Sequence, residues 1–427
     1  MNEGDIMKKN DIPHGNTTII KKIKAYEELA RQGRSMAEYA YEDDENDTMQ
    51  NAKLPKAVYQ TIIIMVVVVF GLMLWLNREN INKESFSAWI KNSIIGEIGG
   101  EGFPVEIVGN RVDSGNFTSK GYEAVLLSDT ALTVIDSSGK EVSCVRHSFP
   151  TPAMSAAVDV RIIYDSGGRK YILQSGGEVV FSKETENNII TADAAKGGSY
   201  AIAVERGSYA SGVDVYTAEG KVKYAYNFFD QYITSVSLNP AATMMVVCSA
   251  SSIAGEVQSR VTVLDLNVTE PVYEFEAKDN LFLETNWSEN GVIYVVGDTA
   301  AFVFEDSSYK MTEYTYDTKQ LTAFYIDKNR MILSVSGYEH KGACVVMAFT
   351  GKETPLNIET AERVESISAY AETFAMLGGG KISFYDVVTG KLQGETLASA
   401  DAKAVALASE KMVYSLGIHD LRITEIK

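Results

Sequence analysis

Positive charge is what this sequence lacks most. Its 39 Lys and Arg face 57 Asp and Glu, for a formal charge of −18. A nucleic-acid partner is therefore excluded, because phosphate binding needs concentrated Lys and Arg. The acidic balance otherwise implies little beyond solubility. Cysteine is nearly as scarce. Cys144, Cys248 and Cys344 lie about a hundred residues apart, so there is no short-spaced metal pair and no disulfide framework. Each sits in an apolar run (VSCVRH, MMVVCSA, GACVVMAF), where a thiol acts as a small buried hydrophobe. A large domain outside the cytoplasm without disulfides suits a bacterium better than a eukaryotic secretory protein.

Catalytic signatures are missing too. The four histidines, His14, His147, His340 and His419, are dispersed, and no HExxH helix occurs. There is no GxSxG elbow, since Ser208 in RGSYASG reads as a turn serine. No phosphate loop or dinucleotide fingerprint is present, and Gly378-Gly379-Gly380 falls at a strand-to-strand turn. EDDEND at Glu42–Asp47 lacks the turn glycine and closing Glu of a calcium loop. No catalytic, cofactor-binding or metal-ligating residue is expected, and no cofactor. A carboxylate pair brought together in space stays open, because it leaves no local trace.

What the chain does have begins with one charge-free run, AVYQTIIIMVVVVFGLMLWL, from Ala57 to Leu76. Twenty residues at 1.5 Å rise span about 30 Å, the hydrocarbon thickness of a bilayer. Ile62, Val66, Phe70 and Leu74 are typical of its lipid-facing content. The run starts too late, and lacks the small-residue cleavage site, for a removable signal peptide. It reads as a membrane-spanning helix at 57–76, with the lipid bilayer as its partner. Nine Lys or Arg precede it, against Arg78, Lys83 and Lys91 just beyond. Positive-inside logic then places the polar tail 1–56 in the cytoplasm and the large domain outside. The tail has a possible helix over Thr18–Tyr41, with Ile19, Ile20, Ile23 and Tyr26 beside lysines. Segment 77–102 gives a short amphipathic helix (Ile81, Phe86, Trp89, Ile90, Ile94) ended by Gly99, Gly100 and Gly102.

From Phe103 to the end, short strands alternate with Gly, Asp, Asn and Ser turns, the pattern of an all-β domain. One unit recurs, as in ALTVID-SSG-KEVSCV, KYILQ-SGG-EVVF, GVDVYT-AEG-KVKYAY and KISFYD-VVTG-KLQGET. Centred on Val134, Ile172, Val215, Val263, Val303, Met347, Phe384 and Ile423, its gaps are 38, 43, 48, 40, 44, 37 and 39 residues. Two further strands precede each unit, such as YITSVSLN and TMMVVCSA. A period near 40 with four short strands per copy predicts an eight-bladed β-propeller, or seven blades if the Ile172 copy is irregular. The last copy lacks its outer strand. PVEIVG at Pro104–Gly109 is the spare strand that would complete it, making Gly102, Phe103, Pro104, Val105 and Ile107 the residues of domain entry and blade closure.

Four stretches carry a family resemblance. They are AWIKNSIIGEIGGEGFPVEIVGNRV (Ala88–Val112), VLLSDTALTVIDSSGKEV (Val125–Val142), NNIITADAAKGGSYAIAVE (Asn187–Glu205) and GVIYVVGDTAAFVFE (Gly291–Glu305). Through them residues 57–427 resemble a membrane-anchored clostridial (Firmicutes) family of unknown function. The resemblance implies a bacterial cell-surface location and a quinoprotein-like or WD-like propeller, and transfers no catalytic residue. The tryptophan-bearing repeat of quinone dehydrogenases is missing. The expected function is a non-catalytic interaction scaffold, binding an unknown protein or cell-wall ligand on one propeller face. The alternatives are an envelope enzyme acting on a glycan or quinone-linked substrate, and a sensor relaying ectodomain binding to the tail.

Overall fold

The chain divides into two units, Met1–Ile90 and Lys91–Lys427. A computed structural model describes residues 102–158, 160–337, 343–351 and 354–426, all in the second unit. Tail 1–56, the apolar run 57–76 and segment 77–101 lie outside the described residues. Among the described residues no helix is long and apolar enough to cross a membrane.

The described residues form eight four-stranded antiparallel sheets. Blades 1 to 7 occupy 112–146, 152–184, 189–228, 232–278, 282–315, 320–360 and 364–397, and blade 8 takes 404–425 plus one strand from the start of the domain. The strands of a blade are called a to d outward from the axis. The eight repeat centres of the sequence all fall on c strands, from Val134 in Ala131–Ile135 to Ile423 in Asp420–Glu425. The blade around Ile172 has all four strands, Pro152–Ala157, Val160–Asp165, Lys170–Ser175 and Glu178–Glu184. The count is eight, and the seven-bladed alternative falls.

Blades stack because one strand serves two neighbours. In the b strand Met244–Ile253, Met245 and Val247 pack with Ala201, Val213 and Val215 of blade 3. The intervening Val246 and Cys248 pack with Phe282, Ile293, Val295 and Phe302 of blade 5. Successive side chains of a strand point to opposite faces, so a strand between two blades must be apolar throughout. Outer strands touch protein on one side only and alternate, as Tyr273–Lys278 does between half-buried and exposed residues. Each fully buried Leu, Ile, Val or Phe contributes roughly 1.5–3 kcal/mol.

The ring is closed by Val105–Glu106, the d strand of blade 8, which pairs antiparallel with Asp420–Glu425 in the register Val105↔Leu421 and Glu106↔Asp420. Ile107 N–H continues the ladder to His419 O at 3.0 Å. Phe103, Val105 and Ile107 pack on a cluster that joins Tyr414 and Leu421 of blade 8 to Val112, Leu126 and Ile135 of blade 1. Gly102 lies so close to the c–d turn of blade 1 that a Cβ there would meet Ser138 O at 2.6 Å. The chain therefore enters at the face carrying the a–b and c–d turns. The b–c and d–a loops form the opposite face.

Candidate functional site

At the axis the a strands surround a channel with a cavity of about 740 Å³, and every blade contributes lining residues. Five a strands carry the same irregularity, a one-residue bulge near their start. It falls between Ile189 and Thr191, Ile233 and Ser235, Phe282 and Glu284, Leu321 and Ala323, and Val364 and Ser366. A bulge bends its strand and re-aims the side chains that follow. The five strands are thereby aligned. Thr191, Ser235, Glu284, Ala323 and Ser366 are equivalent, and so are Asp193, Ser237, Asn286, Tyr325 and Ser368 two residues on.

Most side chains at these positions stitch blades together. Ser155 Oγ accepts from Ala194 N–H (3.2 Å), Asp193 Oδ2 from Leu238 N–H (2.8 Å), and Ser235 and Ser237 from Thr285 N–H (3.2 Å) and Trp287 N–H (3.0 Å). Ser366 and Ser368 accept from Val405 N–H (3.2 Å) and Leu407 N–H (2.9 Å). Tyr325 Oη donates to Ala369 O (3.3 Å), Asn116 Nδ2 to Pro152 O (2.7 Å), and Ser119 Oγ to Leu407 O. Small hydroxyl residues fit where strands crowd the axis, and they satisfy backbone groups that would otherwise be buried unpaired.

The seam between blades 5 and 6 differs. Among the described residues it has no stitch from an a strand. It is held instead at the entry face, where Ser288 Oγ and Glu289 N–H donate to Lys328 O (2.9 and 2.7 Å). The equivalent positions on blade 5 are Glu284 and Asn286. Glu284 accepts from Ser235 Oγ of the blade behind it at 2.7 Å, and Asn286 Oδ1 is buried without a hydrogen-bond donor.

Lys328, in the a–b turn of blade 6, reaches across the channel to blade 3, where its Nζ lies 3.9 Å from Asp193 Oδ2. That nitrogen is buried and makes no hydrogen bond. Asp193 also accepts from Ser155 Oγ at 2.9 Å. Tyr164 Oη lies 3.3 Å from Thr191 Oγ1, and burial holds its phenol protonated well above the usual range.

Burial pushes the Glu284 carboxyl up to about 7, reinforced by the nearby Asp193 and opposed by the Ser235 hydroxyl. Glu284 keeps a sliver of exposure to the channel, yet protein surrounds its carboxyl almost completely, and desolvation dominates. A carboxyl in that range can take or give a proton at neutral pH. Among the described residues, no three His, Cys, Asp or Glu side chains are grouped as metal ligands. His147 is stacked on Phe149 at 4.8 Å between ring centroids, and burial lowers its pKa. Cys248 and Cys344 are buried and unpaired.

The face opposite the chain entry has its own character at blades 3 and 4. There the hairpin of Met244–Ile253 and Glu256–Asp265 is paired along its full length to Ile253↔Glu256, with a two-residue tip at Ala254 and Gly255, both at positive φ. The adjacent a strand stops at Tyr232↔Ala250. The last three residues thus project about 10 Å further, at roughly 3.3 Å each. Phe229 is 79% exposed, Tyr232 64% and Ile253 58%, with Tyr209 and Val257 exposed beside them. Tyr209 and Phe229 meet edge to face at 6.5 Å. Exposed Glu205, Asp230, Glu256 and Asp279 border them; the neighbouring cations are Lys278 and Arg206, the latter in register with Tyr209 and paired to Asp214.

A family model described as "Family of unknown function (DUF5711)" matches residues 107–426. The chain belongs to DUF5711. No curated protein matches it. Among solved structures, Saccharomyces cerevisiae Sqt1 is similar to 76% of this chain over 100% of its own, with a TM-score of 0.52 and 8% identity. The β-propeller domain of Myceliophteria thermophila Cps50 (Swd1) is similar to 75% of this chain over 98% of its own, with a TM-score of 0.47 and 12% identity. At 8% identity the likeness to Sqt1 speaks to fold alone.

In the DUF5711 propeller, Gly102, Phe103, Pro104, Val105 and Ile107 lie together at the junction of blades 8 and 1, away from the channel. Ala57, Ile62, Val66, Phe70, Leu74 and Leu76 lie outside the described residues. The channel residues Asp193, Glu284, Asn286 and Lys328 were not singled out by sequence. A signal did exist: in the a strands Ile189–Ala194 and Phe282–Trp287, an acid occupies a place where Tyr232–Leu238 and Val364–Tyr370 carry serine.

Proposed function

We propose that this chain is a single-pass membrane protein whose propeller is a non-catalytic interaction module on a bacterial cell surface, working through the face opposite the chain entry. The charge-free run Ala57–Leu76 and the basic tail before it support the tether and its orientation. The observation that carries the function is the group of large apolar side chains exposed around Phe229 beside the projecting hairpin. Aromatics exposed together on a rigid scaffold favour a protein partner. The bordering carboxylates select a partner segment with apolar side chains flanked by Lys or Arg.

The test is a photo-crosslinkable residue at Phe229 in the full-length protein in cells, with Val388 on the entry face as control. One adduct is expected from position 229 and not from 388, and Tyr209→Ser with Ile253→Ser should remove it. Equal adducts from both faces, or an adduct indifferent to these substitutions, overturns the proposal. One observation favours a second reading. Glu284 and Asp193 flank one channel, as an envelope hydrolase would need for acid and base. Turnover of a glycan that vanishes in Glu284→Gln would favour it.

A further inference from the structure

We propose that the axial channel, at the seam between blades 5 and 6, binds a small zwitterion: an amino acid or short peptide with a free amino and a free carboxylate end. Among the described residues, seven seams of the ring are stitched at the axis by a side chain from an a strand, and the one between blades 5 and 6 is not. Side chains of the two blades that flank it carry, into the channel, unmet hydrogen-bonding capacity of both signs. Lys328 Nζ is buried with three donors and no acceptor within hydrogen-bonding distance, its neighbour Asp193 being 3.9 Å away. Asn286 Oδ1 is buried without a donor, and the Glu284 carboxyl beside it lines the cavity while held by the Ser235 hydroxyl. Buried polar atoms usually find partners, and here a donor and acceptors line one cavity and face the same space.

A ligand bringing only a cation would leave Lys328 unmatched. One bringing only an anion would face Glu284 and Asp193 on the same wall. A ligand with both ends meets both needs, its carboxylate on Lys328 and its ammonium on Glu284 and Asn286. The cavity, about 740 Å³, is larger than a single amino acid needs and lies within the range of small-molecule sites. The rest of its wall, including Phe117, Leu321, Phe324 and Val405, suits small apolar side chains.

Calorimetric titration of the full chain with tri-L-alanine, its N-acetyl form and its C-terminal amide tests this. The free tripeptide should bind, and each capped form should bind about tenfold to a hundredfold more weakly, the loss expected for one charge-assisted contact. Glu284→Gln should erase the discrimination against the acetyl cap, and Lys328→Met that against the amide. No binding by the free tripeptide up to about 10 mM, or equal binding of all three, overturns the proposal without reference to any variant. Discrimination that survives both substitutions overturns it as well.

Discussion

Glu284 offers the sharpest quantitative check. Its carboxyl is raised from 4.5 to about 7 in the folded propeller, mainly by burial. Below pH 4.5 folded and unfolded chains both hold the proton, and the group costs nothing. Between 4.5 and 7 the folded chain holds it and the unfolded chain has released it, so stability falls as pH rises. Above 7 the carboxylate is ionised in a desolvated setting, and the full penalty of about 3 kcal/mol is in force. Glu284→Gln keeps an oxygen for the Ser235 hydroxyl but cannot ionise. Urea unfolding of the two proteins between pH 4 and 8.5, followed by near-ultraviolet circular dichroism, isolates this one group. The variant should gain about 3 kcal/mol on the wild type across that range, most of it between pH 5 and 7.5. Parallel stability curves would mean that the carboxyl ionises as in water and that the channel is far wetter than its packing implies.

Three more outcomes follow from the packing. Leu421, buried and in register with the closing strand at Val105, should cost about 2–5 kcal/mol when replaced by Ala, measured by urea unfolding. Ser237→Ala and Ser368→Ala each strand a buried N–H, of Trp287 and Leu407, and should cost about 1–3 kcal/mol apiece. Because they stitch different blade pairs, the double variant should show the sum to within about 0.5 kcal/mol. Iodoacetamide on the native protein should label the half-buried Cys144 and spare Cys248 and Cys344, with all three labelled in urea. For Cys248 full burial also holds the thiol protonated. Peptide mass spectrometry reads the result.

The blades were legible because a c strand is apolar on both faces and is followed by a turn whose chemistry is local. Gly139 at φ 85°, or Gly176 and Gly177 at 58° and 87°, are examples. Such units repeat at a fixed spacing whatever the ring does. The closing strand was visible only as a spare, and its paired part is shorter than the apolar run PVEIVG, because beyond Ile107 the chain turns toward blade 1. The channel left only a faint trace, an acid in two a strands where others carry serine. Asp193, Glu284 and Lys328 belong to three blades, and only closure of the ring brings them to one axis. Each alone reads as one more acid or base among many. The bulges that align the a strands depend on pairing partners and leave no mark in the composition.

Pairing the first strand of the domain with the last has a consequence for the order of synthesis. Val105–Glu106 leaves the ribosome hundreds of residues before Asp420–Glu425, and must wait unpartnered until that strand has been made. A product that stops before Asp420 therefore exposes two raw edges at once, on Met412–Leu416 of blade 8 and on the closing strand Val105–Glu106. Such a product would be a ready target for proteolysis.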